Sequence, residues 1–187
     1  MAYGVRLRVF GAQACFRRPG TGRVSYEVMT PWAARGVLEA IHWKPAIRWI
    51  VQEIHILAPV RFQAGPRDGT GAKILADVDY LIAASFEVDP LKAARDNAGQ
   101  HLAMFNRRAR KGRCFRTPCL GGREFPARFA LVEPDEIPPA PIGESRDLGD
   151  MLYDVDHGGG RAALWFHARL EQGILKVPRP GSAEIRG

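Results

Sequence analysis

Three stretches of this chain alternate apolar and polar side chains with the two-residue period of a half-buried strand. In Tyr3–Phe10, Val5, Leu7 and Val9 oppose Arg6, Arg8 and Phe10. Ile47–Leu57 is the second stretch, and Asp77–Val88 the third. In the third, Val78, Tyr80, Ile82 and Ala84 alternate with Asp79, Leu81, Ala83 and Ser85, so neither face is strongly polar. That pattern predicts a central strand. Two other stretches carry helical spacing. Thr30 is a ready N-cap with Pro31 at the first helical position. Trp32, Ala33, Val37, Leu38 and Ile41 then mark a face that can pack on a sheet. This helix is expected to stop around His42–Lys44, because Pro45 disfavours helical torsions before it. Asn97–Arg110 predicts a second helix with Leu102, Met104, Phe105 and Ala109 for burial, and Arg128–Val132 a last strand.

The resulting β-α-β-β-α-β order predicts an α+β, ferredoxin-like domain over residues 1–134 with both helices on one face. A short extended segment is expected at Val24–Met29. Residues 135–147, rich in proline, read as a linker, and residues 148–187 as a small antiparallel β appendage with a loose tail. In that appendage Leu148–Val155 is the first strand. Ala162–Leu170 and Ile174–Val177 form a hairpin around Glu171–Gly173.

Composition changes the picture through sign alone. The 187 residues include 27 Lys and Arg against 20 Asp and Glu, a formal charge of +7 that favours nucleic acid or an acidic membrane. No leader or membrane-length apolar run is present, which predicts a cytoplasmic protein without membrane contact. Cys15, Cys114 and Cys119 are odd in number, as suits a reducing compartment. They lack zinc-site spacing, the five histidines are scattered, and no Walker loop or dinucleotide fingerprint occurs. The expectation is a protein without metal or cofactor.

Basic residues gather in two places, and single cations stand in two more segments. Arg17, Arg18 and Arg23 surround Pro19, Gly20 and Gly22 in what reads as a mobile loop. Arg107, Arg108, Arg110 and Lys111 crowd the end of the second helix beside Arg113 and Arg116. Cations there complement the macrodipole, yet their density also suits an RNA-phosphate patch. Gly121 and Gly122 let backbone amides approach a phosphate, and Arg123 adds a forked donor. The corner after the first helix presents His42, Trp43 and Lys44, an imidazole, an indole and an ammonium suited to RNA. His55 reads as structural, and His157 and His167 have no partner that suggests chemistry.

Several of these segments resemble one family. Y-G-V-R-L-R-V-F-G, S-Y-E-V-M-T-P, A-A-R-G-V-L-E-A-I-H-W-K-P-A-I-R-W, D-N-A-G-Q-H and C-L-G-G-R-E-F-P-A are similar to CRISPR-associated protein family five, subtype I-C branch, in the RAMP superfamily. The resemblance runs from about Tyr3 to Pro178. It implies a ferredoxin-like endoribonuclease that cuts precursor CRISPR RNA and stays on the 5′ handle of the mature RNA. The implied setting is the type I-C Cascade complex, with backbone and large subunits as partners and a double-stranded DNA target reached through the complex.

RNA can be cut without metal because its own 2′-hydroxyl is the nucleophile. A base, an acid and donors for the phosphorane charge are then required. The resemblance places these roles on His42, Gln100 and His101, with Gln100 standing where the family has lysine. RNA contacts are expected at Lys44 from its place in the corner and at Arg107, Arg108, Arg110, Lys111 and Arg113 from their density, and the resemblance places the family's RNA-binding loop at Gly121, Gly122 and Arg123. Gln100 brings no charge, so a second reading is a non-catalytic subunit capping the 5′ handle. An unrelated basic binding module is a third. Relative to the family, the loop around residues 63–73 looks shortened.

Overall fold

The computed structural model describes residues 4–65, 71–92, 97–155 and 162–187. Alternation does what it predicts in β1 (Val5–Ala14), where Val5, Leu7 and Val9 are buried and the arginines between them are not. α1 (Pro31–Ile41) opens on Thr30, whose side chain accepts the Ala33 amide at 3.2 Å, with proline at the first position. It closes at His42, which turns extended while its N–H still reaches the Leu38 carbonyl at 3.0 Å. β2 (Ile47–Ile56) follows, with a bulge between Val51 and Glu53. β3 (Phe62–Ala64) and β4 (Lys73–Val88) pair antiparallel. α2 (Ala98–Arg110) is capped by Asn97, whose side chain accepts the Gln100 amide at 2.8 Å. β5 (Arg128–Val132) completes the first unit.

β4 is the spine, antiparallel to β1 on one side and to β2 on the other, while β5 flanks β1. The order β5-β1-β4-β2 is that of the expected ferredoxin-like sheet. The helices meet on one face, where Phe105 of α2 packs on Trp49 of β2 with ring centres 4.9 Å apart. Beyond residue 134, Ile142 donates to the Ile56 carbonyl, and β6 (Arg146–Val155), β7 (Ala163–Glu171) and β8 (Ile174–Lys176) follow. β8 pairs with β2, so the sheet runs on as β5-β1-β4-β2-β8-β7-β6. Met151, Phe166, Leu170 and Leu175 share one apolar core with Leu7, Ile54 and Ile82. An ion pair from Arg35 on α1 to Asp154 on β6, also within reach of Glu39, fastens the helix layer to these strands.

Three expectations are corrected. The first strand, expected over Tyr3–Phe10, runs further. Gly11–Ala14 extend β1, and Cys15 and Phe16 are buried, because the Phe16 carbonyl is taken by the Tyr26 amide at 2.8 Å. Val24–Met29 makes only isolated bridges, through Val24 and Ser25. Trp32 is not a core residue but 44% exposed, since the buried stripe of α1 runs through Ala34, Val37, Leu38 and Ile41. β3 is too short for periodicity to reveal. The shortened loop lies partly, and His157 and Asp96 wholly, outside the described residues.

Candidate functional site

The C-terminal end of α1 and the N-terminal turn of α2 are carried to the same edge of the sheet. Ile47 at the start of β2 pairs with Val88 at the end of β4, so the segments flanking both strands converge there. His42 and His101 meet at this point, Nε2 of one 3.2 Å from Nδ1 of the other, and are only 3% and 5% exposed. The Trp49 indole N–H donates to the His42 carbonyl at 2.9 Å. A buried indole needs such an acceptor. Trp49 in turn rests on Phe86 and Phe105, which fixes the corner.

Arg108, one of the expected phosphate ligands, turns inward instead. Its guanidinium donates to the Ile41 carbonyl at 2.9 Å and lies 3.3 Å from His42 Nδ1. Arginine has no acceptor, so His42 Nδ1 accepts and His42 carries its proton on Nε2. That proton faces Nδ1 of His101, which must accept it, leaving the His101 proton on its own Nε2. With both rings neutral, the order Arg108 to His42 to His101 therefore sets both tautomers and leaves the His101 proton on a buried Nε2. Gln100 is exposed beside this pair, its backbone held by the Asn97 cap.

The other expected RNA ligands divide. Arg107 is exposed, with Met104 Sδ at 3.0 Å, and Lys44, Lys111 and Arg113 are exposed on the segments after the two helices. Arg110 instead clasps Glu133 with two hydrogen bonds of 2.5 and 2.7 Å, which holds the Glu133 carboxyl below its ordinary range. Gly121, Gly122 and Arg123 belong to the far end of β1, where the Leu120 carbonyl accepts the Cys15 amide. Ten residues at about 3.3 Å each make β1 roughly 30 Å long, so this loop is not part of the histidine site. Gly121 has φ +94, and a Cβ there would stand 2.0 Å from the Cys15 carbonyl oxygen. Its freedom serves packing against β1. Among the described residues no three His, Cys, Asp or Glu side chains gather as a metal-ligand set, and no helix is long and apolar enough to cross a membrane.

The family resemblance singled out both histidines, and neither it nor the residue pattern pointed to Trp49 or the inward turn of Arg108. Alternation in β2 does put Trp49 on the buried face. Arg108 is separated from the core residues Phe105 and Ala109 by less than a turn, which places its stem against α1.

An antiparallel sheet of this order with two helices on one face defines a ferredoxin-like protein of the RAMP type. The chain belongs to the Cas5d family: residues 4–178 match the family described as CRISPR-associated protein (Cas_Cas5). It is 40% identical to the CRISPR pre-crRNA endoribonuclease Cas5d of Mannheimia succiniciproducens, covering all of both chains. That alignment runs over 224 positions, more than this chain has residues, so the relative carries segments absent here. Identity to the Cas5d of the same description from Thermus thermophilus is 38%, over 97% of this chain and 94% of that one. Among solved structures, one described as a CRISPR-associated protein superposes with a TM-score of 0.84 at 25% identity, covering 98% and 96% of the two chains. A functionally uncharacterized protein from Streptococcus mutans shares the fold, with a TM-score of 0.82 at 23% identity over 98% and 97%.

Proposed function

We propose that this chain is a precursor CRISPR RNA endoribonuclease whose proton chemistry runs through the His42–His101 pair without metal. The observation that carries the assignment of the site is the 3.2 Å contact between two imidazoles brought together from separate helices. Histidine suits proton transfer because its ordinary pKa lies near neutrality. In the proposed step the 2′-hydroxyl oxygen attacks the adjacent phosphorus and its proton passes to solvent. The bond from phosphorus to the 5′-oxygen breaks, and the 5′-oxygen takes the Nε2 proton of His101, which the proton released from the 2′-hydroxyl replaces through solvent. The products are a 2′,3′-cyclic phosphate and a 5′-hydroxyl. His42 steadies His101 from behind, and Gln100 offers an amide N–H to the phosphorane where the family lysine would offer a charge.

Retention of the 5′ handle and assembly with the backbone and large subunits of a type I-C Cascade complex are part of the same proposal. So is access to a double-stranded DNA target through that complex. They are supported by family membership and by the exposed cations at the helix ends. The burial of both histidines and the uncharged Gln100 favour a second reading, a subunit that holds the handle without cutting it. Incubating the purified protein with repeat RNA in EDTA separates the two. Cleavage at one phosphate supports the nuclease, and tight binding without cleavage supports the capping subunit.

A further inference from the structure

Two large aromatic side chains stand in water beside the histidine pair. Phe115 is 75% and Trp43 50% exposed. Their proximity is built by the backbone. Gly112, with φ +60, ends α2, and the Arg113 amide returns to the Arg108 carbonyl at 2.9 Å. The next two amides, of Phe115 and Arg116, both donate to the Ala40 carbonyl, at 2.8 and 3.1 Å. This lays the loop against the last turn of α1, three residues before Trp43. Lys44, Arg113 and Arg116 are exposed on the same two segments, and among the described residues no ion pair engages them.

A single exposed ring is ordinary on a protein surface. Two rings interleaved with three uncommitted cations fit single-stranded RNA, which offers a π-face and a negative charge at every nucleotide. The cations count against an apolar protein partner. We propose that Trp43 and Phe115 stack on the bases on either side of the scissile phosphate, while Lys44, Arg113 and Arg116 hold the neighbouring phosphates. The inference rests on the reading that this chain binds and cuts repeat RNA, and it deepens that reading by naming what positions the substrate. Splaying two bases apart is one way to bring the 2′-oxygen, phosphorus and 5′-oxygen into line for attack. Recognition by stacking tolerates any base but requires that a base be present.

The test uses the full chain and repeat RNA carrying a 2′-deoxy block at the cleavage position, with and without abasic substitutions on either side. Wild-type binding is measured first, and its absence would overturn the RNA reading together with this inference. Given wild-type binding, Trp43→Ala and Phe115→Ala are each expected to weaken affinity about 5- to 150-fold. The salt slope is expected to stay unchanged, because no charge is removed. Trp43→Phe and Phe115→Trp retain most of the affinity. On abasic RNA the alanine variants lose little more, because the base they would grip is already gone. Trp32→Ala, at the other end of α1, is the control, and thermal melts confirm that all variants fold. Alanine variants that bind intact RNA like the wild type would overturn the stacking role alone. So would equal losses on intact and abasic RNA, or loss of a protein partner with RNA affinity unchanged.

Discussion

The two ends of β1 carry the same kinds of residue and use them differently. At the histidine end, Lys44, Arg107 and Arg113 are exposed, and rings stand free between cations. At the glycine end, Glu124 lies 3.8 Å from Arg17 and 3.5 Å from Arg23, and Arg18 stacks on Tyr26. Gly121 uses its left-handed backbone for a close approach to Cys15. Basic density in a sequence is therefore not the same as charge available to a ligand. Where carboxylates and rings of the protein itself take up the cations, phosphate must compete with them. This contrast supports the proposal that the histidine end is the half that meets RNA directly.

The largest effect that sharpens this contrast is on stability. Gly121→Ala combines a backbone strain of about 1–2 kcal/mol with overpacking of about 1–3 kcal/mol, a loss of roughly 2–5 kcal/mol in urea unfolding. Gly122→Ala meets only the flexible Glu124 side chain and is expected to cost much less. Equal, small losses would mean that the Gly121 approach to Cys15 is not needed by the fold. Next, Arg108→Ala removes the donor that orders the imidazoles. It is expected to lower single-turnover cleavage about 10- to 100-fold, the worth of a charged hydrogen bond, with affinity moved only a few-fold. Arg108→Lys restores part of the rate. Weakened affinity with the rate at saturation intact would return Arg108 to the phosphate ligands.

A smaller effect separates the two ends by salt. Replacing Lys44, Arg107 and Arg113 with Ala flattens the log–log salt dependence by about 0.7 for each phosphate that is no longer neutralised. Replacing Arg17 and Arg23 flattens it less, and an equal change at both ends would break the comparison. The smallest effect is at Arg110. Hydrogen bonding from Arg110 holds the folded Glu133 carboxyl below its unfolded value. A depressed carboxyl stabilises above the unfolded value and loses that contribution as pH falls through the folded one. The difference in urea midpoint between wild type and Glu133→Gln is therefore expected to be small at pH 7 and to vanish in acid. A difference that grew in acid would contradict the pairing.

Much of the fold was legible because period and caps are local. Alternation marked β1, β2 and β4, and Thr30, Pro31 and Asn97 marked the helix starts. The joining of β8 to β2 was not legible, since a three-residue strand carries no period and pairing across more than a hundred residues leaves no local trace. The same holds at the site. The family resemblance marked His42, Gln100 and His101 as one group, yet the contact of the two imidazoles depends on two helix ends crossing. Arg108 looked like its neighbours Arg107 and Arg110, and only the approach of α1 turns it inward. Phe115 gave no signal at all, because a ring in a basic loop reads the same whether it is buried or in water.

Whether the histidine pair is the cleavage centre is tested most directly by single-turnover cleavage of repeat RNA at saturating protein, in EDTA. Affinity is measured in parallel on RNA with a 2′-deoxy block. The wild type is expected to yield a cyclic phosphate and a 5′-hydroxyl. His101→Ala is expected to cut about 10²–10⁴-fold more slowly with affinity within a few-fold, and Gln100→Lys to cut at an equal or higher rate. Undiminished cleavage by His101→Ala, or wild-type cleavage that stops when EDTA is added, would contradict the assignment.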